Sequence, residues 1–142
     1  MKQPAIICDL DGTLALITHR NPYDARHCDQ DTVNLPVAEI CRRFASTHWI
    51  LFVSGREDRY REPTLRFLKK AVPSIVASKT WSLLMRPTRD RRKDTILKAE
   101  IYSRDIESYY DVAFVLDDRN QVVDMWRHQY HLTCLQVAEG DF

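Results

Sequence analysis

A chain of 142 residues that is 44% hydrophobic, with only 3 glycines and 6 prolines, has the length of one domain and the composition of a folded one; disordered, fibrous and two-domain architectures are excluded. A net charge of +1 argues by itself for no polyanionic partner, and no apolar run approaches the roughly 20 residues of a membrane helix, so no membrane contact is expected. The first residues lack the basic, apolar and small-residue segments of a leader, and Cys8, Cys28, Cys41 and Cys134 form no C-x-x-C pair; a cytoplasmic protein with reduced thiols is expected.

Pro4–Cys8 is a continuous apolar run rich in isoleucine, the pattern of a strand buried on both faces. Residues 12–31 mix Gly, Pro, Asn, His and Asp without periodicity and read as a long loop or small flap. Val33, Val37, Ile40, Cys41 and Phe44 recur at helical spacing, with Pro36 tolerable in the first turn. Trp49–Val53 is a second apolar strand, ending at Ser54-Gly55-Arg56, and Leu65, Leu68 and Val72 predict a helix that stops near Pro73. Ser82–Met85 reads as a short strand, and Asp94 to about Ser108 as a helix with Leu97 and Ile101 on one side. Val112–Leu116 is a third strong strand; Asp117-Asp118 follow, then a helix presenting Val122, Val123, Trp126 and Tyr130, then a strand over Leu132–Val137. This alternation predicts an α/β fold: one Rossmann-like three-layer α/β/α domain over residues 1–142, with a mostly parallel central sheet and right-handed crossovers. The short connections leave no room for a large cap domain.

In such sheets ligands bind beyond the carboxyl ends of the strands, and Asp9, Asp11, Ser54, Asp117 and Asp118 all follow such ends. Asp9-Leu10-Asp11-Gly12-Thr13 puts two carboxylates at a strand end, with a glycine permitting close backbone approach. Several carboxylates at one sheet edge repel unless a cation joins them, and hard oxygen ligands with open positions suit Mg²⁺. Taken alone, each acidic pair reads equally as a loop or helix cap. Together with Ser54 and a lysine they describe phosphate-ester chemistry. One carboxylate attacks phosphorus, a second acts as acid and then base, and the serine and lysine hold the other phosphoryl oxygens.

The charge is unevenly spread: residues 56–93 carry 12 Lys or Arg against 4 Asp or Glu, and the remainder 9 against 16. A basic surface for a phosphate-rich ligand beside an acidic cation site fits this asymmetry, as does a merely solvated helix face.

Asp9-Leu10-Asp11-Gly12-Thr13-Leu14, Ser54-Gly55-Arg56, a helical lysine and Asp117-Asp118, in this order, resemble the four motifs of the haloacid dehalogenase (HAD) superfamily of phosphohydrolases. Arg20-Asn21-Pro22-Tyr23-Asp24, Cys28-Asp29, Asp31, Arg92-Lys93-Asp94 with Lys98, Asp117-Asp118-Arg119, Gln121-Val122-Val123, Met125-Trp126-Arg127, Gln136-Val137-Ala138 and Gly140-Asp141-Phe142 extend the likeness over nearly the whole chain. They resemble the phosphatase domain of phage-type polynucleotide kinase/3′-phosphatase.

The resemblance implies removal of a 3′-terminal phosphate from DNA or RNA ends through an aspartyl-phosphate, in the healing of broken strands. It implies Asp9 as nucleophile and Asp11 as general acid/base. Asp9, the Asp11 carbonyl and Asp118 would bind Mg²⁺, with Asp117 nearby, acting through water or by orienting Lys98. Lys98, four residues after Asp94, is the superfamily lysine in preference to Lys93, with Asp94 positioning it. Ser54 and Gly55 would meet the phosphoryl group, and Arg20 and Arg56 substrate phosphate or the transition state. Singly, Arg20 also reads as an exposed flap residue, Arg56 as a partner of Glu57 or Asp58, and Asp94–Lys98 as a surface pair.

The residues contain no G-x-x-x-x-G-K-[ST] loop, so a stand-alone phosphatase or an excised domain is expected, and a kinase, a ligase and a second copy of the chain are the expected protein partners. A bacterium or phage-infected cell is the expected setting. Tyr23 or Trp81 are the aromatics with a prospect of meeting a nucleobase, while Trp49 and Trp126 read as core. The alternatives are a small-molecule phosphatase such as a nucleotidase, and a non-catalytic module binding nucleic-acid ends.

Overall fold

The computed structural model describes residues 1–142, and in it the apolar runs become strands. In chain order the elements are β1 (Gln3–Cys8), β2 (Ala15–Leu16), β3 (Thr32–Val33), α1 (Leu35–Phe44), β4 (Trp49–Glu57), α2 (Arg61–Ala71), α3 (Pro73–Val76), β5 (Trp81–Arg86), α4 (Asp94–Ile101), β6 (Tyr110–Asp117), α5 (Asn120–Asp124) and β7 (Cys134–Gln136). Five of the strands form one sheet in the order β5-β4-β1-β6-β7, and every pairing in it is parallel. β2 and β3 pair antiparallel as a separate small hairpin at the base of the flap.

The sheet is covered on both faces, as the unalternating hydrophobicity of its strands requires. Ile6, Cys8, Ile50 and Phe52 point into one core, packed by residues of α1 and α2 such as Val37, Cys41, Phe67 and Leu68. Their strand neighbours Ala5, Ile7, Leu51 and Val53 point into the other, against Leu97, Ile101, Val122 and Trp126. This is the three-layer α/β/α arrangement, and nothing larger than the flap is inserted over the carboxyl ends of the strands. All four cysteines are buried and free. No helix is long and apolar enough to cross a membrane.

Several boundaries differ from the sequence expectation, each for a local reason. The helix expected to stop near Pro73 ends at Ala71, and Pro73 instead opens the short α3, where its fixed φ suits a first turn. β4 continues through Ser54 and Gly55 to Glu57, with a register shift against β5 between Ser54 and Glu57; the turn-like Ser-Gly marks a bulge, not an end. The helix expected from Asp94 to about Ser108 is α-helical only to Ile101 and widens into a π-helical segment over Tyr102–Ile106. α5 widens likewise over Met125–Gln129. The flap holds one 3₁₀ turn, Cys28–Gln30, beside its hairpin.

Candidate active site

Five parallel strands end on one side of the sheet, and residues at the ends of β1, β4, β5 and β6 build the site. Asp9 leaves β1, Asp117 ends β6 and Asp118 follows it; all three are buried. Each offers a carboxylate oxygen within 4.8 Å of the others. The chain can bring them so close because Gly12 takes φ +85°, and a Cβ there would collide with the Asp118 carboxylate. Thr13 joins two of the acids, its hydroxyl lying 2.8 Å from Asp9 Oδ2 and 3.3 Å from Asp118 Oδ1.

Lys98 reaches this cluster from the last turn of α4. Its ammonium donates to Asp9 Oδ1 at 2.8 Å and to Asp117 Oδ2 at 3.1 Å. Burial alone would push the ammonium toward neutrality, but the Asp117 and Asp9 carboxylates outweigh it and raise its pKa, keeping it charged. Asp117 is further engaged: its Oδ1 accepts the Asp118 N–H at 2.8 Å, and its Oδ2 accepts the Trp126 indole N–H at 3.3 Å. Asp117 thus lies in direct contact with Lys98. Trp126 is core as expected, and it also holds an acid of the site in place.

Burial, and then the charge of Asp117, raise the pKa of Asp9 despite Lys98, and the same two influences raise that of Asp118. Three buried carboxylates facing one ammonium leave an excess negative charge that the protein's own cations do not match. The donor set is all hard oxygen, and the Asp11 carbonyl accepts no hydrogen bond from the protein. These features fit a divalent cation such as Mg²⁺ at the cluster of Asp9, Asp117 and Asp118.

The Asp11 side chain takes no part in this cluster. It is held instead by arginines: Arg56 donates through Nη2 at 2.7 Å and Nε at 3.0 Å, and Arg20 through Nη2 at 3.2 Å. Both guanidinium groups also bond the buried Asp31, Arg20 twice at 2.8 Å and Arg56 at 3.1 Å. Arg56 is thus not the partner of Glu57 or Asp58, and Arg20 is not an exposed flap residue, its side chain being 11% accessible. Arg20 Nη1 also binds the flap carbonyls of Asn21, Pro22 and Asp24, so the flap and Asp11 share one clamp. The sequence reading assigned Asp31 no role.

Two expectations need correction. Asp94 does not bond Lys98: its oxygens accept from Arg86 and Arg119, and it acts on the ammonium only through its field. The reason is geometric, since Lys98 points inward to Asp9 and Asp117 while Asp94, at the start of α4, faces the rim. Trp81, at the first residue of β5, lies at the opposite end of the strand from the site and packs edge-on against Phe52. Ser54 is buried behind Gly55 and Arg56, and its hydroxyl oxygen accepts the Arg56 N–H at 3.1 Å, which leaves its proton to donate.

Asp9, Asp11, Gly55, Arg56, Lys98 and Asp118 line a cleft of about 1050 Å³. Its lining carries as many acids as bases: Arg86, Arg91, Arg92, Lys93 and Arg119 stand along it with Glu57, Asp90 and Asp94, and Tyr23 and Tyr60 are among the aromatics. The arrangement presents a buried carboxylate, a fixed ammonium and a second carboxylate to one open space, as nucleophilic phosphate transfer requires.

The polynucleotide kinase PNKP phosphatase domain family matches residues 3–142. A putative bifunctional polynucleotide kinase/RNA ligase of Autographa californica nuclear polyhedrosis virus is 38% identical over 126 residues, 87% of this chain and 18% of the viral protein. A chain from a structure of the Pnkp1/Rnl/Hen1 RNA repair complex superposes with a TM-score of 0.90 at 49% identity, over 99% of this chain and 44% of that one. A class C acid phosphatase from Bacillus anthracis, with tungstate bound, superposes with a TM-score of 0.64 at 15% identity, over 98% of this chain and 68% of that one, a likeness of fold. The chain spans less than half the length of the first two.

Proposed function

The chain belongs to the polynucleotide kinase PNKP phosphatase domain family, and from that premise we propose that it is a Mg²⁺-dependent 3′-phosphatase of polynucleotide ends. The observation that carries the reading is Asp9, held by Lys98 and Thr13 beside Asp118 on the floor of an uncapped cleft. An uncapped cleft admits the end of a polymer. The RNA repair and RNA ligase names of the relatives support RNA ends among the substrates, and a kinase and a ligase as co-workers.

Asp9 attacks phosphorus, the bond from phosphorus to the terminal 3′ oxygen breaks, and Asp11 delivers a proton to that oxygen. Asp11 then takes a proton from water, which attacks the aspartyl-phosphate, releasing inorganic phosphate and free Asp9. Lys98 steadies the phosphoryl oxygens throughout, while Ser54, which does not line the cleft, acts on them through the Gly55–Arg56 backbone that it holds. Arg56 faces the cleft, so an entering phosphate dianion competes with Asp11 for its guanidinium and frees Asp11 for proton transfer. Asp9, Asp118 and the Asp11 carbonyl would hold a Mg²⁺, which would supply charge neutralisation at the attacked phosphate.

Phosphate release from 3′-phosphorylated RNA and DNA oligonucleotides, with Mg²⁺ and with chelator, tests this. Release is expected only with Mg²⁺, and Asp9→Asn should cut it by at least about a thousandfold, or some 4 kcal/mol of barrier, while still binding the oligonucleotide. Undiminished turnover by Asp9→Asn, or none by the wild type, overturns the reading. Equal turnover of free 3′-nucleotides would point to a small-molecule phosphatase.

A further inference from the structure

Residues 87–93, between β5 and α4, form a rim that is both tightly tied and unpaired in charge. Arg86, itself 8% exposed, ties the rim from beneath by donating to the carbonyls of Asp90 and Arg92. The Thr88 hydroxyl accepts the Arg59 N–H, and Glu57 accepts the N–H of Arg89, a non-glycine residue at φ 73°. Such a backbone persists only where its surroundings enforce it. The rim's acids are all engaged, Asp90 by Arg92, Glu57 by Arg59 and Asp94 by Arg86 and Arg119. Arg91 and Lys93 make no ion pair or side-chain hydrogen bond, are exposed, and line the cleft. The flap, clamped by Arg20, carries Tyr23 on the same cleft, 90% exposed.

Resting on the phosphatase reading, we propose that this rim and the flap are the two banks of a track for the strand that leads to the 3′ phosphate. Arg91 and Lys93 engage phosphodiesters upstream of the terminal nucleotide, and Tyr23 stacks on a base. The ligand class is therefore a single-stranded 3′ tail of several nucleotides, gripped by charge and stacking without sequence preference. A free 3′-nucleotide reaches the Asp9 centre but not this track.

The experiment measures kcat/KM on 3′-phosphorylated single strands of one, two, three, six and ten nucleotides, with p-nitrophenyl phosphate as reference. For the wild type, kcat/KM should climb through the first several nucleotides. In R91E/K93E the decamer-to-mononucleotide ratio should fall at least tenfold, in KM and not in kcat, and the log–log salt slope on the decamer should shrink by about 1.4, at about 0.7 per phosphate contact on a single strand. Tyr23→Ala should lower the ratio and Tyr23→Phe preserve it. A flat wild-type length dependence, or equal losses on every length, overturns the track while leaving the phosphatase reading intact. No phosphate release from any substrate sinks that reading first.

Discussion

Asp31 makes two arginines fixed parts of the site. Its carboxylate is 4% exposed and takes three N–H bonds, and with Asp11 it balances the charges of Arg20 and Arg56. Removing Asp31 leaves two guanidinium groups sharing the single charge of Asp11, and breaking such a buried pair costs about 3–5 kcal/mol. Asp31→Ala should therefore lower the urea midpoint by that equivalent, and it should slow turnover because Asp11 loses its orientation. An unchanged midpoint would show that the quartet is solvated and that Asp31 is an ordinary flap acid. The same residue shows where sequence reading runs out. Asp9, Asp11, Asp117 and Asp118 are legible because each follows an apolar strand, and Lys98 through the family resemblance, which places the lysine four residues after Asp94. Asp31 sits in an aperiodic stretch with Asp24 and Asp29, and its partners lie 11 and 25 residues away along the chain, so nothing local separates it from its neighbours.

The elements were legible wherever burial sets a period. The strand cores and the helices α1, α2 and α4 follow from continuous or helical apolar spacing. What was not legible is what cross-chain contacts impose: the bulge at Ser54–Glu57 in β4, the π-helical widening after Ile101 and Asp124, and the shape of the rim. The rim's sequence, Arg86-Pro87-Thr88-Arg89-Asp90-Arg91-Arg92-Lys93, reads simply as basic, yet its conformation hangs on Arg86. Arg86 also bonds the Gly55 carbonyl at 2.7 Å, joining the rim to the strand that carries Ser54. Arg86→Gln cannot span these acceptors, so the rim should open locally while the cores stay packed. Limited trypsin digestion should then cut after Arg89, Arg91 or Lys93 at least about tenfold faster than in wild type, with the thermal midpoint moved only a few degrees. Equal cutting rates would mean that the backbone holds the rim without Arg86.

Across the whole molecule, charge is placed against stability on purpose of function. Asp9, Asp117 and Asp118 meet only Lys98 in the buried cluster, and Asp9 and Asp118 have pKa values raised by burial and by Asp117. A carboxylate with a raised folded-state pKa binds its proton better folded than unfolded. Its contribution is therefore fully present below the unfolded value, about 3.9, and is lost as pH rises through the folded value. Without a metal, Asp118→Asn should consequently match the wild type near pH 4 and exceed it at pH 8 by about 1–3 kcal/mol. Mg²⁺ should close or reverse that gap. At a hundredfold excess over its Kd it adds about 2.7 kcal/mol to a protein that binds it only when folded, which the wild type gains and the variant largely forgoes. Thermal unfolding of both proteins at pH 4 and pH 8, with chelator and with Mg²⁺, gives the four differences. A wild type as stable as Asp118→Asn at pH 8 in chelator would mean that the cluster carries no unmatched charge. The electrostatic case for a cation would then fall, while the family assignment, which rests on the match over residues 3–142, would stand.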